Sequence, residues 1–225
     1  MGTVLEMKYA PGLGLISLLA LAACGSDTDP ASNTAVVRSF AASALGSVKA
    51  SAPASERMTR ARLAEVVTPV MLTTIENTGH QALIAEIETN GPVATWSSVD
   101  DITISLRNGV IVATRGFGAD LMAATVPAVS RSSGGGQTYT RVHTLLNGED
   151  QAVRTQFACT LQNDGAKTVD IVEISYQTSH VIESCTADGV SFRNEYWISG
   201  DQKMRKSRQW ISPDVGFLTI EDVRR

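Results

Sequence analysis

Four cations fall within six residues, Lys203, Arg205, Lys206 and Arg208, between Trp197 and Trp210. Cations beside indole rings suit contact with an acidic polysaccharide, a lipid phosphate or the acidic loop of a partner, with sugars stacking on the tryptophans. The competing reading is a solvated edge strand, whose lysines discourage edge-to-edge pairing. Alternation favours that second reading, because it sets Lys203 and Arg205 on one face of a strand and Lys206 and Arg208 on the other. Trp96, Trp197 and Trp210 also suit a core better than a sugar platform.

Other chemistry is sparse. His80, His143 and His180 are far apart, and none has a partner at metal-ligand spacing. The chain contains no H-E-x-x-H, no C-x-x-C and no G-x-S-x-G. Gly116-Phe117-Gly118 lacks the third glycine of a dinucleotide loop and reads as a strand end. Asp100-Asp101 and Glu149-Asp150 are adjacent pairs, which a strand would point to opposite faces, so they read as turns rather than as an acid/base couple. No catalytic residue, metal or cofactor is therefore expected.

The most specific signal lies near the N-terminus. Leu13 to Ala23 is an apolar run of eleven residues ending at Cys24. Spanning a bilayer takes about 20 such residues, so the run suits a secretory leader and not a membrane-crossing helix. Glu6 offsets Lys8 in the stretch before it, which favours Met7 over Met1 as the start. Leu21-Ala22-Ala23-Cys24 resembles the bacterial lipobox, in which the cysteine takes a diacylglycerol and the new N-terminus a further acyl chain such as palmitate. Each buried methylene contributes about 0.8 kcal/mol, so several chains hold a protein on a bilayer almost permanently. Gly25, rather than aspartate, follows the cysteine, which by resemblance to Gram-negative sorting signals implies the outer membrane with the protein facing the periplasm. Residues 1–23 thus read as a signal peptide and 24–34 as a lipidated tether.

The whole chain has 225 residues, with 19 Lys plus Arg against 23 Asp plus Glu and a net charge of −4. A mildly acidic chain lacks the cations that phosphate neutralisation demands, so nucleic acid is not an expected partner. At 43% apolar and 19% charged residues it can build a core and is not a disordered polymer. Residues 35–225 read as one β-rich domain.

Val36, Val37, Phe40, Ala41, Ala44, Leu45 and Val48 form a helical stripe. A second short helix is expected from a cap at Ser55 to a stop before Pro69. From Val70 the apolar period becomes two. Ile102, Ile104 and Leu106 alternate up to Asn108-Gly109, a type I′ turn signal, and Val110 and Val112 begin the return strand. The pattern recurs around Asp164-Gly165, Asp188-Gly189 and Gly200-Asp201, with Ser130 to Gln137 as a flexible loop. The predicted fold is mainly β: an antiparallel meander curled into an open or half barrel, with one or two short N-terminal helices.

Cys159 and Cys185 would share an oxidising compartment, and a bridge between them would contribute about 3.5 kcal/mol by chain entropy. Against it, a turn at Asp164-Gly165 would set a strand from Thr168 to Gln177 between the two cysteine strands. That spacing is roughly 9 to 10 Å, beyond the reach of a disulfide. Both outcomes stay open at this level.

Tyr196-Trp197-Ile198, Gly200, Ser207-Arg208-Gln209-Trp210-Ile211 and Pro213 follow an earlier block of Trp96-Ser97-Ser98 and Asn108 to Leu121 (NGVIVATRGFGADL). In this order, and with the lipobox, they resemble the YjbF family, the group-four capsule polysaccharide lipoproteins (GfcB-like). The resemblance covers roughly Val70 to Val223. It implies a β-rich outer-membrane lipoprotein, an accessory factor without enzymatic activity in exopolysaccharide or capsule production. It also implies an outer-membrane or secretion-machinery partner. The family supplies no catalytic residues to carry over. The alternatives are a periplasmic lipid or lipoprotein carrier, built on an apolar concave face, and a polysaccharide-modifying enzyme.

Overall fold

The computed structural model describes residues 58–64 and 66–224. The leader, Cys24, the tether, the stripe from Val36 to Val48 and Ser55 lie outside the described residues. Within them, a short helix α1 (Arg60–Ala64) precedes the strands β1 (Val70–Ile75), β2 (His80–Asn90), β3 (Val93–Ser97), β4 (Thr103–Arg107), β5 (Val110–Arg115) and β6 (Leu121–Thr125). The second half continues with β7 (Gln137–Leu146), β8 (Ala152–Ile171), β9 (Ile174–Ala187), β10 (Val190–Ser199), β11 (Met204–Ser212) and β12 (Gly216–Arg224).

All twelve belong to one sheet in the order β5-β4-β3-β2-β1-β12-β11-β10-β9-β8-β7-β6. Strands adjacent in sequence pair throughout, except at β5 and β6, and β1 closes onto β12 with Leu72 opposite Glu221. The expected curled meander therefore runs almost to a closed barrel with one seam. Side chains bridge that seam. Asp120 accepts from the Thr114 hydroxyl at 2.9 Å, the amide of Leu121 donates to Thr114 Oγ1 at 3.0 Å, and Arg115 Nη1 donates to the Leu121 carbonyl at 3.3 Å. The unpaired edges so acquire polar partners that a partner strand would otherwise supply.

The barrel is filled. Met71, Ile84, Trp96, Ile104, Ile111, Leu218 and Ile220 pack together inside it. Gln209 of β11 crosses the interior to β5, accepting from the Ile111 amide at 2.8 Å and donating to the Gly109 carbonyl at 2.9 Å. The Asn108-Gly109 turn is pressed so close that a Cβ on Gly109 would lie 2.8 Å from Met204 Sδ, and its φ of +84° also favours glycine. A small cavity between β1, β4, β11 and β12 holds about 10 Å³, room for at most one water.

A second core lies on the opposite face of β1 and β2. Val70, Leu72, Leu83 and Ala85 are covered there by Met58, Leu63, Val66 and Ile171. This explains why Val70, Met71 and Leu72 run apolar without alternation, since both faces of β1 are buried there. Ile171 comes from the tip of the long β8–β9 hairpin, which Arg60 fastens to the rest. Its Nε donates to the Val172 carbonyl at 2.6 Å, Nη2 to Ile171 at 2.7 Å and Nη1 to Val223 at 2.6 Å.

Two expectations are corrected here. First, Asp164-Gly165 is not a turn. Asn163 faces Val181 and Ala166 faces Ser179, so Asp164 and Gly165 together oppose one residue, His180, in a β-bulge. Gly165, at φ +86°, supplies the positive φ that a turn would also have needed. The chain reverses instead at Val172 and Glu173, both at positive φ (42° and 63°) without glycine or asparagine. No strand then separates the cysteines: Cys159 pairs directly with Cys185, Cα to Cα 4.1 Å, and the two are disulfide-bonded. Second, β11 is not an edge strand, because β10 and β12 flank it. Its sequence resembles an edge only because its charges find carboxylates on neighbouring elements.

Candidate functional site

The barrel's strand alternation gathers side chains into transverse rows. His180, Trp197, Lys206 and Glu221 stand directly opposite one another across β9, β10, β11 and β12. The Trp197 ring stacks on His180 with centroids 4.7 Å apart, and Lys206 Nζ approaches from the next strand at 5.9 Å. Lys206 also pairs with Glu221 at 2.8 Å. Arg208 lies over the Phe217 ring at 3.5 Å and meets Glu76 at 2.9 Å. A bulge after Trp197 makes Arg205 an extra residue, which turns to Asp201 at 2.7 Å and Asp222 at 3.1 Å and covers Tyr176.

Three of the four clustered cations thus carry carboxylate partners, and Trp197 has a neighbour on each flank. Lys203 is exposed, while Trp210 is buried and far from any surface role. These pairs are partly buried, and Asp222 is the most enclosed of the carboxylates. Their effect here is electrostatic: the row ends up nearly balanced in charge. His180 is itself held between two carboxylates, Asp164 on Nδ1 at 3.0 Å and Glu195 on Nε2 at 2.9 Å. The hydrogen bond from His180 draws the Asp164 carboxyl below the usual carboxylate range.

Inside the barrel lies a constellation that sequence reading did not single out. Glu183 of β9 is fully buried and acts as a common acceptor. Arg141 Nη1 reaches its two oxygens at 3.0 and 3.1 Å, Asn194 Nδ2 donates at 2.7 Å, Tyr196 Oη at 2.6 Å, and Tyr139 donates as well. Arg141 Nε donates to His143 Nε2 at 2.7 Å. His143 stacks on Trp210 and Phe192 and meets the edge of Phe157. The Cys159–Cys185 bridge packs in the same cluster as these aromatic rings.

Burial alone would raise the Glu183 carboxyl, but the charge of Arg141 and the hydrogen bonds from Tyr139, Tyr196 and Asn194 outweigh it and hold it low. Burial and the Glu183 charge push both tyrosines up. The pair therefore stays ionised in an apolar enclosure. Among the described residues, Glu183, Arg141, Asn194 and Tyr196 of this hub are buried, and Tyr139 is its partly exposed member.

His143 makes that enclosure sensitive to acid. Burial, reinforced by Arg141, lowers its pKa from 6.5 to about 3. A depressed pKa means that the unfolded chain takes up a proton the folded one refuses. Its contribution is complete above pH 6.5 and is lost as pH falls towards 3. Stability is expected to drop by about 2 kcal/mol between about pH 7 and pH 5. Urea unfolding at both values checks this: a His143→Gln variant, which keeps an acceptor for Arg141, should lose most of that pH dependence. An equal drop in the variant would assign the effect to other groups.

A family profile described as group 4 capsule polysaccharide lipoprotein gfcB, YjbF matches residues 35–223. No curated protein matches the sequence. Among solved structures, the hypothetical lipoprotein YmcC from Escherichia coli K12 is similar with a TM-score of 0.68 at 16% identity. The match covers 84% of this chain and 95% of that one. At that identity the likeness speaks for the fold, a nearly closed meander, and for nothing finer. The profile match spans most of the chain, including the blocks around Trp96 and Trp197, and so the protein belongs to the YjbF family of group 4 capsule polysaccharide lipoproteins.

Proposed function

We propose that this protein is a lipid-anchored, non-enzymatic accessory factor in capsule or exopolysaccharide production, held at the periplasmic face of the outer membrane. The observation that carries the proposal is the match of residues 35–223 to the group 4 capsule polysaccharide lipoproteins. The lipobox ending at Cys24 supports the anchor, and Gly25 after it supports the outer membrane. Anchoring places the barrel in the layer where an outer-membrane or secretion-machinery partner sits and raises its effective concentration there. Among the described residues, the packing of Met71, Ile84, Trp96, Ile104 and Ile111 across the barrel interior supports an accessory role over an acyl-chain carrier. The charge-matched row around Trp197, Lys206 and Arg208, with Lys203 exposed beside it, is the face offered to that partner.

Deletion of the gene, complemented with wild type or with Cys24→Ala, tests this reading. Surface polysaccharide should fall on deletion, return with wild type, and fail to return with a Cys24→Ala protein that is exported and folded. Unchanged polysaccharide on deletion in a strain without a second copy would overturn the role. Full restoration by the unlipidated protein would overturn the anchor.

A further inference from the structure

Unneutralised positive charge lies in a cleft between the α1 segment, the β8–β9 hairpin, β12 and the Arg205 end of β11. Arg60, Arg205, Arg224, Thr68, Tyr176 and Asp222 are among the residues lining it. The cleft encloses about 410 Å³, within the range of small-molecule sites. Its three guanidinium groups come from α1, β11 and β12, so the tertiary fold assembles them.

Their charges are unequally compensated. Arg205 is paired with Asp201 and Asp222. Arg60 gives its Nε, Nη1 and Nη2 to neutral main-chain carbonyls. The nearby Glu173 carboxylate accepts from the main-chain amide of Arg60, not from its guanidinium. Arg224 donates from Nη1 to the Leu63 carbonyl at 2.7 Å, and among the described residues its Nε and Nη2 have no acceptor. Neither Arg60 nor Arg224 forms an ion pair among the described residues, whereas three of the four cations around β11 do.

A second observation points the same way. The Thr68 hydroxyl is buried at the cleft and has no hydrogen-bond partner among the described residues. An orphaned hydroxyl in a polar recess is destabilising unless something occupies the recess and bonds to it. Two guanidinium groups without counter-charge, one of them with free donors, together with an unpaired hydroxyl, describe a receptor for an oxyanion that also bears hydroxyl groups.

We propose that this cleft binds the carboxylate of an acidic sugar, with Arg224 as its direct donor, Arg60 as the fixed positive charge behind it and Thr68 meeting a ring hydroxyl. The inference rests on the proposed role in polysaccharide production and names the polymer's chemistry as anionic. It places recognition beside α1 and not on the tryptophan row.

The test is calorimetric titration of the folded protein with a short galacturonate oligomer, a neutral galactose oligomer and inorganic phosphate, at low and at raised salt. The galacturonate oligomer should bind and the neutral one should not. Binding should weaken with salt, fall by about tenfold or more in Arg224→Gln and be largely retained in Arg224→Lys. Unfolding midpoints of both variants, measured alongside, show whether the fold is kept, and Thr68→Val gives a second, uncharged probe of the same site. Failure of the wild type to bind the acidic oligomer, binding indifferent to both Arg224→Gln and Thr68→Val, or binding of phosphate alone would overturn the proposal. None of those results bears on the deletion phenotype, so failure of the cleft and failure of the accessory role remain distinguishable.

Discussion

Arg141→Met is expected to lower stability by about 3–5 kcal/mol, the largest effect of any single change considered for this chain. The reason is asymmetric. Arg141 and Glu183 are both fully buried, with side chains at 0% exposure and 3.0 Å between them. Removing the arginine leaves a carboxylate among Tyr139, Tyr196, Asn194 and the aromatic cluster, with no cation to offset its desolvation. That carboxyl must then protonate or draw in water, and the packing of β7 against β9 and β10 suffers in either case.

Removing both charges should hurt less than removing one. In an Arg141→Met, Glu183→Leu double variant no ion is stranded, although Tyr139, Tyr196 and Asn194 lose their acceptor. A recovery of about 1–2 kcal/mol over the single variant is expected, and urea unfolding of the four proteins in a double-mutant cycle measures it. A single-variant loss below about 1 kcal/mol would show that water reaches the pair and that the hub is not a sealed one. Arg141 Nη2 and His143 Nδ1, both buried, have no partner among the described residues, so the network is strongly but not completely satisfied.

The meander was legible because its grammar is local. Apolar alternation with Asn108-Gly109, Asp188-Gly189 and Gly200-Asp201 marks three reversals that the structure contains. Asp164-Gly165 misled because the conformation that glycine permits serves a bulge as well as a turn, and only the partner strand decides which. The true reversal at Val172-Glu173 has no sequence signature, since tertiary contacts from Arg60 hold it in place. Closure of β1 onto β12 was also hidden, because it joins residues at opposite ends of the domain.

The buried hub left a trace that alternation could have exposed. Glu183 has the same parity as Val181 and Cys185, and Asn194 the same as Phe192 and Tyr196, all of them core residues. A charged or amide residue in step with a core face is either misplaced or matched from another strand. The match, Arg141, lies 42 residues away, too far for any local pattern. The basic cluster failed for the converse reason: four cations close together in sequence found carboxylates that are distant in it, such as Glu76 for Arg208 and Glu221 for Lys206.

The same register argument sets the expected result of removing the disulfide. Cys159 and Cys185 face each other in the β8–β9 pairing, 26 residues apart in sequence and each 1% exposed. On the chain-entropy model a cross-link of that span contributes about 3.5 kcal/mol. A Cys159→Ala, Cys185→Ala variant should therefore melt roughly 7 to 14 °C lower for a domain of this size. Alanine is the informative replacement, because serine would add two buried hydroxyls of uncertain pairing. Reductant should lower the wild-type midpoint by a similar amount and leave the variant unmoved. The bridge stands beside the aromatic wall of the ionic hub, so a part of the loss should be shared with Arg141→Met. Combined, the changes should cost less than their sum, since a hub already strained by the missing bridge has less left to lose. Strict additivity would separate the two, and would mean that the bridge acts on the unfolded chain alone.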